Sequence, residues 1–192
     1  MSDRGQATRE ALVAAARELF VTQGYFATGT EEIVARAGVG TRGALYHHFA
    51  DKRALFEAVF EAVEIDLLAR AAPTGRATDT WGVLVTGLQG FLTAALEPEV
   101  QRIILVDGPA VLGWNEWREL EAKYGVGVIE AALDVAMEEG TIVRQPAREL
   151  AHLILAVLDE AALLIAHSGE PEVARANASA ALGQLLEGLR AS

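Results

Sequence analysis

Apolar residues recur at three- and four-residue intervals along nearly all of this 192-residue chain, and Gly and Pro fall mainly between those runs. A strand would alternate every second residue, so the period suits helices and predicts an all-α fold. Leu12, Val13, Ala16, Leu19 and Phe20 share one face of a helix from Thr8 to Gln23, which Gly24 ends in the C′ position. A second helix turns Ile33, Val34 and Ala37 inward and stops at Gly38. Thr28 and Glu31 have capping-box spacing at its start, with Gly29 or Thr30 as the alternative cap. A third helix, Thr41 to Phe49, packs Ala44, Leu45 and Phe49 and leaves Arg42, Tyr46 and His47 outside.

Asp51 caps a fourth helix, whose Leu55, Phe56, Val59, Val63, Leu67 and Leu68 hold the 3.6-residue period until Pro73. Residues 71–78, AAPTGRAT, read as a linker or sharp turn. Beyond them the pattern predicts helices over Thr80–Leu96, Glu99–Leu105, Ala110–Tyr124, Val126–Glu139, Ala147–His167 and Glu172–Leu189. Gly125 and Gly127 are expected to bend or break the middle pair.

Composition narrows the class. At 52% hydrophobic the chain can bury a sizeable core, and with no cysteine it has neither disulfides nor thiolate metal ligands, which suits a reducing compartment, the cytoplasm. The longest apolar stretch, Leu150 to Ala166, is interrupted by His152, Asp159 and Glu160 and does not reach the roughly 18 residues of a membrane span. The N-terminus lacks a basic cluster followed by an apolar run, so no signal peptide is expected.

A net charge of −11 should repel phosphate. The charge is uneven, however. Residues 1–53 carry seven basic and six acidic side chains, and residues 54–192 carry nine and 21. The near-neutral first part is therefore where a polyanion would dock. It also holds two short helices joined by a glycine-containing turn, the second with small and polar residues, which fits a helix-turn-helix. A purely structural three-helix bundle fits that bare pattern equally well. Under the first reading, Gly43 and Ala44 let the backbone approach base edges, while Thr41 caps the helix and donates to phosphate. Arg42 pairs with guanine or phosphate, Tyr46 and His47 donate to backbone oxygens, and Lys52 adds charge at the next helix start.

From Ala11 to Val59 the chain resembles the TetR family of one-component transcriptional regulators. The matching segments are AARELFVTQGYFAT, EEIVARAGV and RGALYHHFADKRALFEAV. The resemblance implies an N-terminal three-helix DNA-binding domain, residues 1–53, and a C-terminal effector-binding and dimerisation domain, residues 54–192, joined by a connecting helix over residues 51–71. It also implies that Thr28 and Tyr46 contact phosphates, that Thr41, Arg42, Gly43 and Ala44 face the groove, that His47 clamps the backbone and that Lys52 anchors the connecting helix. The turn differs from the family pattern: both Gly40 and Thr41 stand between AGV and the basic residue, one more than usual. Gly29 and Thr30 replace a polar-then-apolar pair.

In the second part, Trp114, Trp117, Arg118 and Tyr124 fall close together, with Trp81 on an earlier helix. Aromatic walls beside a fixed cation suit a small-molecule pocket, although packing explains such spacing too. Arg102, Asp107, His152, Asp159, Glu160 and His167 are polar groups on apolar helices that require partners, a ligand among the candidates. Trp81, Arg102, Trp114, Trp117, Arg118, His152 and Glu160 form the candidate ligand set. His152 and His167 lie fifteen apart without flanking carboxylate spacing, so no metal or other cofactor is expected. The last two helices offer apolar faces wide enough for a homodimer, with Leu158, Ala161, Ile165, Ala178, Leu182 and Leu185 at the interface.

These features together predict a homodimeric repressor that binds a pseudo-palindromic duplex and is released by a small-molecule effector. Two rivals remain on the sequence. An enzyme has no nucleophile–base pair at recognisable spacing and no glycine-rich phosphate loop here. A helical adaptor for a protein partner would keep its affinity when Arg42 and Lys52 are replaced.

Overall fold

The computed structural model describes residues 3–71 and 79–191, and their regular structure is helical throughout. The expected linker at residues 71–78 lies almost wholly outside the described residues. The helices are α1 (Asp3–Gln23), α2 (Thr30–Ala37), α3 (Arg42–His48), α4 (Lys52–Ala71), α5 (Thr80–Ala94), a π-helical segment (Val100–Asp107), α6 (Gly108–Leu112), α7 (Trp114–Glu138), α8 (Ala147–Ala166) and α9 (Pro171–Glu187). One antiparallel bridge joins Ile142 to Arg190. Among the described residues no helix is long and apolar enough to cross a membrane.

The chain divides into two packed units. The first comprises residues 1–64 and 102–117, and the second residues 65–101 and 118–192. Packing therefore does not divide at residue 53: α4 belongs to the first unit as far as Glu64, and a segment from the middle of the chain joins it.

In the first unit α1 packs on α2 and α3. Leu12, Ala16, Leu19 and Phe20 are buried as the period predicts, and Phe20, Tyr25 and Phe56 form an aromatic cluster with ring centroids 5.2 to 5.6 Å apart. The helix α1 begins five residues before the expected Thr8. Polar local pairs carry that extra turn, with Gln6 donating to Glu10 at 2.7 Å and the Thr8 hydroxyl to the Arg4 carbonyl at 2.9 Å, and such pairs leave no apolar periodicity to read. Between α2 and α3 the chain turns on two glycines in the left-handed region, Gly38 at φ +66° and Gly40 at φ +84°. The longer turn thus supplies a second reversal that a side chain with a Cβ would resist.

In the second unit α5, α8 and α9 pack on one another. The expected break near Gly125 and Gly127 is absent: α7 runs unbroken through both. A Cβ at Gly125 would lie 3.0 Å from Leu155 Cδ1, so this glycine serves close approach of α7 to α8. The break falls earlier, at Gly113, whose φ of +83° separates α6 from α7.

Candidate nucleic-acid interface

The helix α3 has only seven residues, too few to persist by itself, and it is held by its apolar side. Leu45 and Phe49 are buried and Ala44 is half-buried, while Thr41, Arg42, Gly43, Tyr46 and His47 are exposed. The sequence pattern placed these groups on opposite faces, and the folded helix does the same. Thr41 occupies the N-cap position with extended backbone but makes no side-chain cap bond, so its hydroxyl remains available at the surface.

Arg42 is not a loose cation. Its Nη1 donates to Glu31 Oε1 at 2.9 Å across the turn. Hydrogen bonding to the Tyr46 hydroxyl, then the charge interactions with Tyr46 and Glu31, hold the guanidinium further into its protonated range. The same contact with Arg42, followed by one with Thr30, pulls the Tyr46 phenol below its usual value. His47 and His48 stack edge to face with centroids 5.1 Å apart.

Two residues expected at the DNA surface are engaged inside the unit. Thr28 is 1% exposed, and its hydroxyl donates to the Gly24 carbonyl at 2.8 Å, so it neither caps α2 nor shows an oxygen to solvent. The cap of α2 is Gly29, with no side-chain bond. Replacing Thr28 by Val is expected to lower stability by about 1 kcal/mol, the worth of one internal hydrogen bond, and to leave duplex affinity unchanged below the melting range. Urea denaturation and a binding titration check this. Weaker binding at unchanged stability would return Thr28 to the phosphate-contacting set.

Lys52 donates to the Tyr25 and Thr28 carbonyls at 2.9 and 3.0 Å, and its ammonium lies 4.1 Å from the Tyr25 ring centroid. Burial lowers its pKa. These bonds tie the start of α4 to the α1–α2 loop. Asp51 caps α4 as expected, accepting from the Ala54 N–H at 2.8 Å.

Asp107 is 3% exposed and accepts from the Tyr25 N–H at 2.8 Å and from Arg102 Nε at 3.2 Å. A Cβ at Gly24 would collide with the Arg102 guanidinium. Arg53 donates to the Val111 and Leu112 carbonyls and to Glu116. The segment 102–117 is thereby bonded to the loop after α1 and to α4, all within the first unit. Sequence reading placed Arg102 in the candidate ligand set and singled out Asp107 only as a polar group on an apolar helix, because its partner Tyr25, 82 residues away, leaves no local pattern.

The candidate ligand residues fall in both units. In the first unit Trp114 and Trp117 are neighbours, with ring centroids 4.9 Å apart. Trp117 is fully buried and its indole N–H meets no acceptor among the described residues, whereas Trp114 is 58% exposed. Arg102 is committed to Asp107. In the second unit Trp81 is buried, Arg118 is paired with the buried Asp159, and His152 and Glu160 lie on the solvent side of α8.

The expected interface needs correction in a similar way. Leu158, Ala161, Ile165 and Leu182 are buried within the unit, Ala178 is half-buried, and only Leu185 is openly exposed. Because α8 is apolar nearly all round, sequence periodicity could not tell its inner face from its outer. Leu153, Val157 and Leu164 form an outward apolar row on α8, and Val173 and Leu185 are exposed apolar side chains on α9.

Comparison with known proteins agrees with this architecture. A family model described as bacterial regulatory proteins, tetR family, matches residues 12–59, and one described as tetracyclin repressor-like, C-terminal domain, matches residues 81–189. The chain is similar to the transposon Tn10 TetC protein of Escherichia coli, 29% identical over 137 residues, covering 71% of this chain and 69% of that one. It is similar along its whole length to a TetR-family transcriptional regulator of Pectobacterium atrosepticum of known crystal structure, with 35% identity, a TM-score of 0.87 and 98% of that chain covered. The fold is shared with RolR, crystallised with resorcinol, at 18% identity and a TM-score of 0.76, over 98% of this chain and 90% of that one.

Proposed function

This chain belongs to the TetR family of transcriptional regulators, and from that premise we propose that it is a homodimeric, DNA-binding repressor released from its operator by a small-molecule effector. The observation that carries the reading is the exposed row Thr41, Arg42, Tyr46 and His47 on a short helix pinned by Leu45 and Phe49. Such a helix has polar groups of the right kind to meet base edges and phosphates, with Gly43 and Ala44 small enough for close approach. Residues 1–53 carry DNA binding, and residues 54–192 carry effector binding and dimerisation. In a two-fold dimer the reading helices lie about 34–36 Å apart, one turn of duplex, over a pseudo-palindromic site.

The effector part of the reading is supported by large buried aromatics and by the Trp117 indole N–H, a donor suited to an acceptor atom of a ligand. RolR, of the same fold, is described with a small phenol bound. Coupling between effector and DNA is of the order of 1–3 kcal/mol in such systems, and α4, shared by both units, is its covalent route. In this reading the protein acts in the cytoplasm, where its DNA target lies. No enzyme activity is assigned.

Selection of bound fragments from random duplex DNA by the purified protein tests the reading. A two-fold symmetric consensus, bound with steep salt dependence, is the expected result. Recovery of no enriched sequence at low salt would overturn it.

A further inference from the structure

We propose that Glu31 is a specificity-determining positioning residue: by holding the guanidinium of Arg42 it turns a cation that would otherwise seize the nearest phosphate into one presented to base edges. The inference rests on the DNA-binding reading above and deepens it. Glu31 stands in the first turn of α2 and Arg42 at the first position of α3, and the turn with Gly38 and Gly40 brings Nη1 to 2.9 Å from Oε1. The two side chains are 76% and 55% exposed. An ion pair so open to water adds little to stability, so the fold does not require it.

Its consequence for a polyanion is larger. A free arginine on a surface facing DNA binds phosphate without regard to sequence, and each such contact steepens the salt dependence by about one unit. Here Glu31 compensates the charge and holds the guanidinium through Nη1. The side chain is thereby restrained, with part of its donor fork committed. An Arg fork presented in a fixed orientation suits the paired acceptors of guanine, O6 and N7. The carboxylate meanwhile repels the phosphates of every duplex, and only a sequence that supplies such acceptors offsets that repulsion. Discrimination then comes from a repulsive element as much as from an attractive one.

The test measures the full-length protein against its selected duplex and against a random duplex of equal length, over a salt series. Four forms are compared: wild type, Glu31→Gln, Arg42→Ala and the double variant. Glu31→Gln should bind the random duplex several-fold more tightly, with a salt slope steeper by about one. Its selected-to-random affinity ratio should fall by about fivefold or more, the scale of one misread base pair. In the Arg42→Ala background the same substitution should leave the ratio unchanged, because Glu31 acts through Arg42. A ratio and slope unaltered by Glu31→Gln would overturn the inference, as would an equal change with and without Arg42. Those outcomes leave the regulator reading standing. A wild type that discriminates between no duplexes removes that reading and this inference with it.

Discussion

Replacing Arg118 by Ala is expected to lower the stability of the protein by about 3–5 kcal/mol at pH 8, the usual result of leaving a buried charge without its partner. Asp159 is 4% exposed in its side chain and pairs with Arg118, which is itself 31% exposed. Burial pushes the Asp159 carboxyl up to about 6 from its ordinary 3.8, and Arg118 opposes that rise. The folded protein thus holds this proton more tightly than the unfolded chain. Between about pH 4 and 6 the folded state binds more protons, and the contribution of Asp159 to stability falls as pH rises through that window.

Without Arg118 the opposing influence is gone, so the window should extend to higher pH. The Arg118→Ala defect should then shrink as the solution is acidified and the carboxyl becomes neutral. Asp159→Asn behaves differently, because the arginine left behind can reach solvent. It should stay within about 1 kcal/mol of wild type at pH 8, the scale of one internal hydrogen bond. Added to Arg118→Ala, it should recover most of the loss. Urea denaturation of the four forms from pH 4.5 to 8 decides the matter. Equal stability of wild type and Arg118→Ala at pH 8 would show that the pair does not bear on folding.

The parts of the fold that sequence reveals are those fixed by local periodicity. Leu45 and Phe49 fall inside, and Arg42, Tyr46 and His47 outside, because a helix has only one way to bury an apolar stripe three and four residues apart. Glycine is a weaker signal. Gly113 and Gly125 look alike in the sequence, yet one ends a helix through its backbone angle and the other admits Leu155 by lacking a Cβ. The Thr28–Glu31 spacing satisfies a capping box, but the hydroxyl finds a nearer acceptor in the Gly24 carbonyl, and a glycine takes the cap. Contacts such as Tyr25 to Asp107 and Arg42 to Glu31 depend on how distant segments meet, which no pattern within one helix encodes.

The outward face of α8 and α9 carries the second large expectation: Leu153→Glu combined with Leu164→Glu should yield monomers and weaken operator binding by at least about 100-fold. Leu153 and Leu164 are 64% and 61% exposed, and Val157 lies between them on the same side of the helix. Val173 and Leu185 are further exposed apolar side chains on α9, which packs against α8. A second copy related by a two-fold axis would cover the α8 row, and the two α8–α9 pairs would form a four-helix bundle. Two carboxylates per copy in that seam would have to be desolvated without partners, which outweighs the apolar area gained. A dimer joins two half-site contacts into one event, and separating them forfeits the effective concentration, commonly worth 10²- to 10⁴-fold.

Leu158→Ala is the control, since Leu158 is 3% exposed and points into the unit. It should cost about 2–5 kcal/mol of stability as a core cavity, while any folded protein stays dimeric. Sedimentation equilibrium gives the mass of each variant, and titration with the selected duplex gives its affinity. A Leu153→Glu, Leu164→Glu protein that remains dimeric and binds as tightly as wild type would place the contact between copies elsewhere on the molecule.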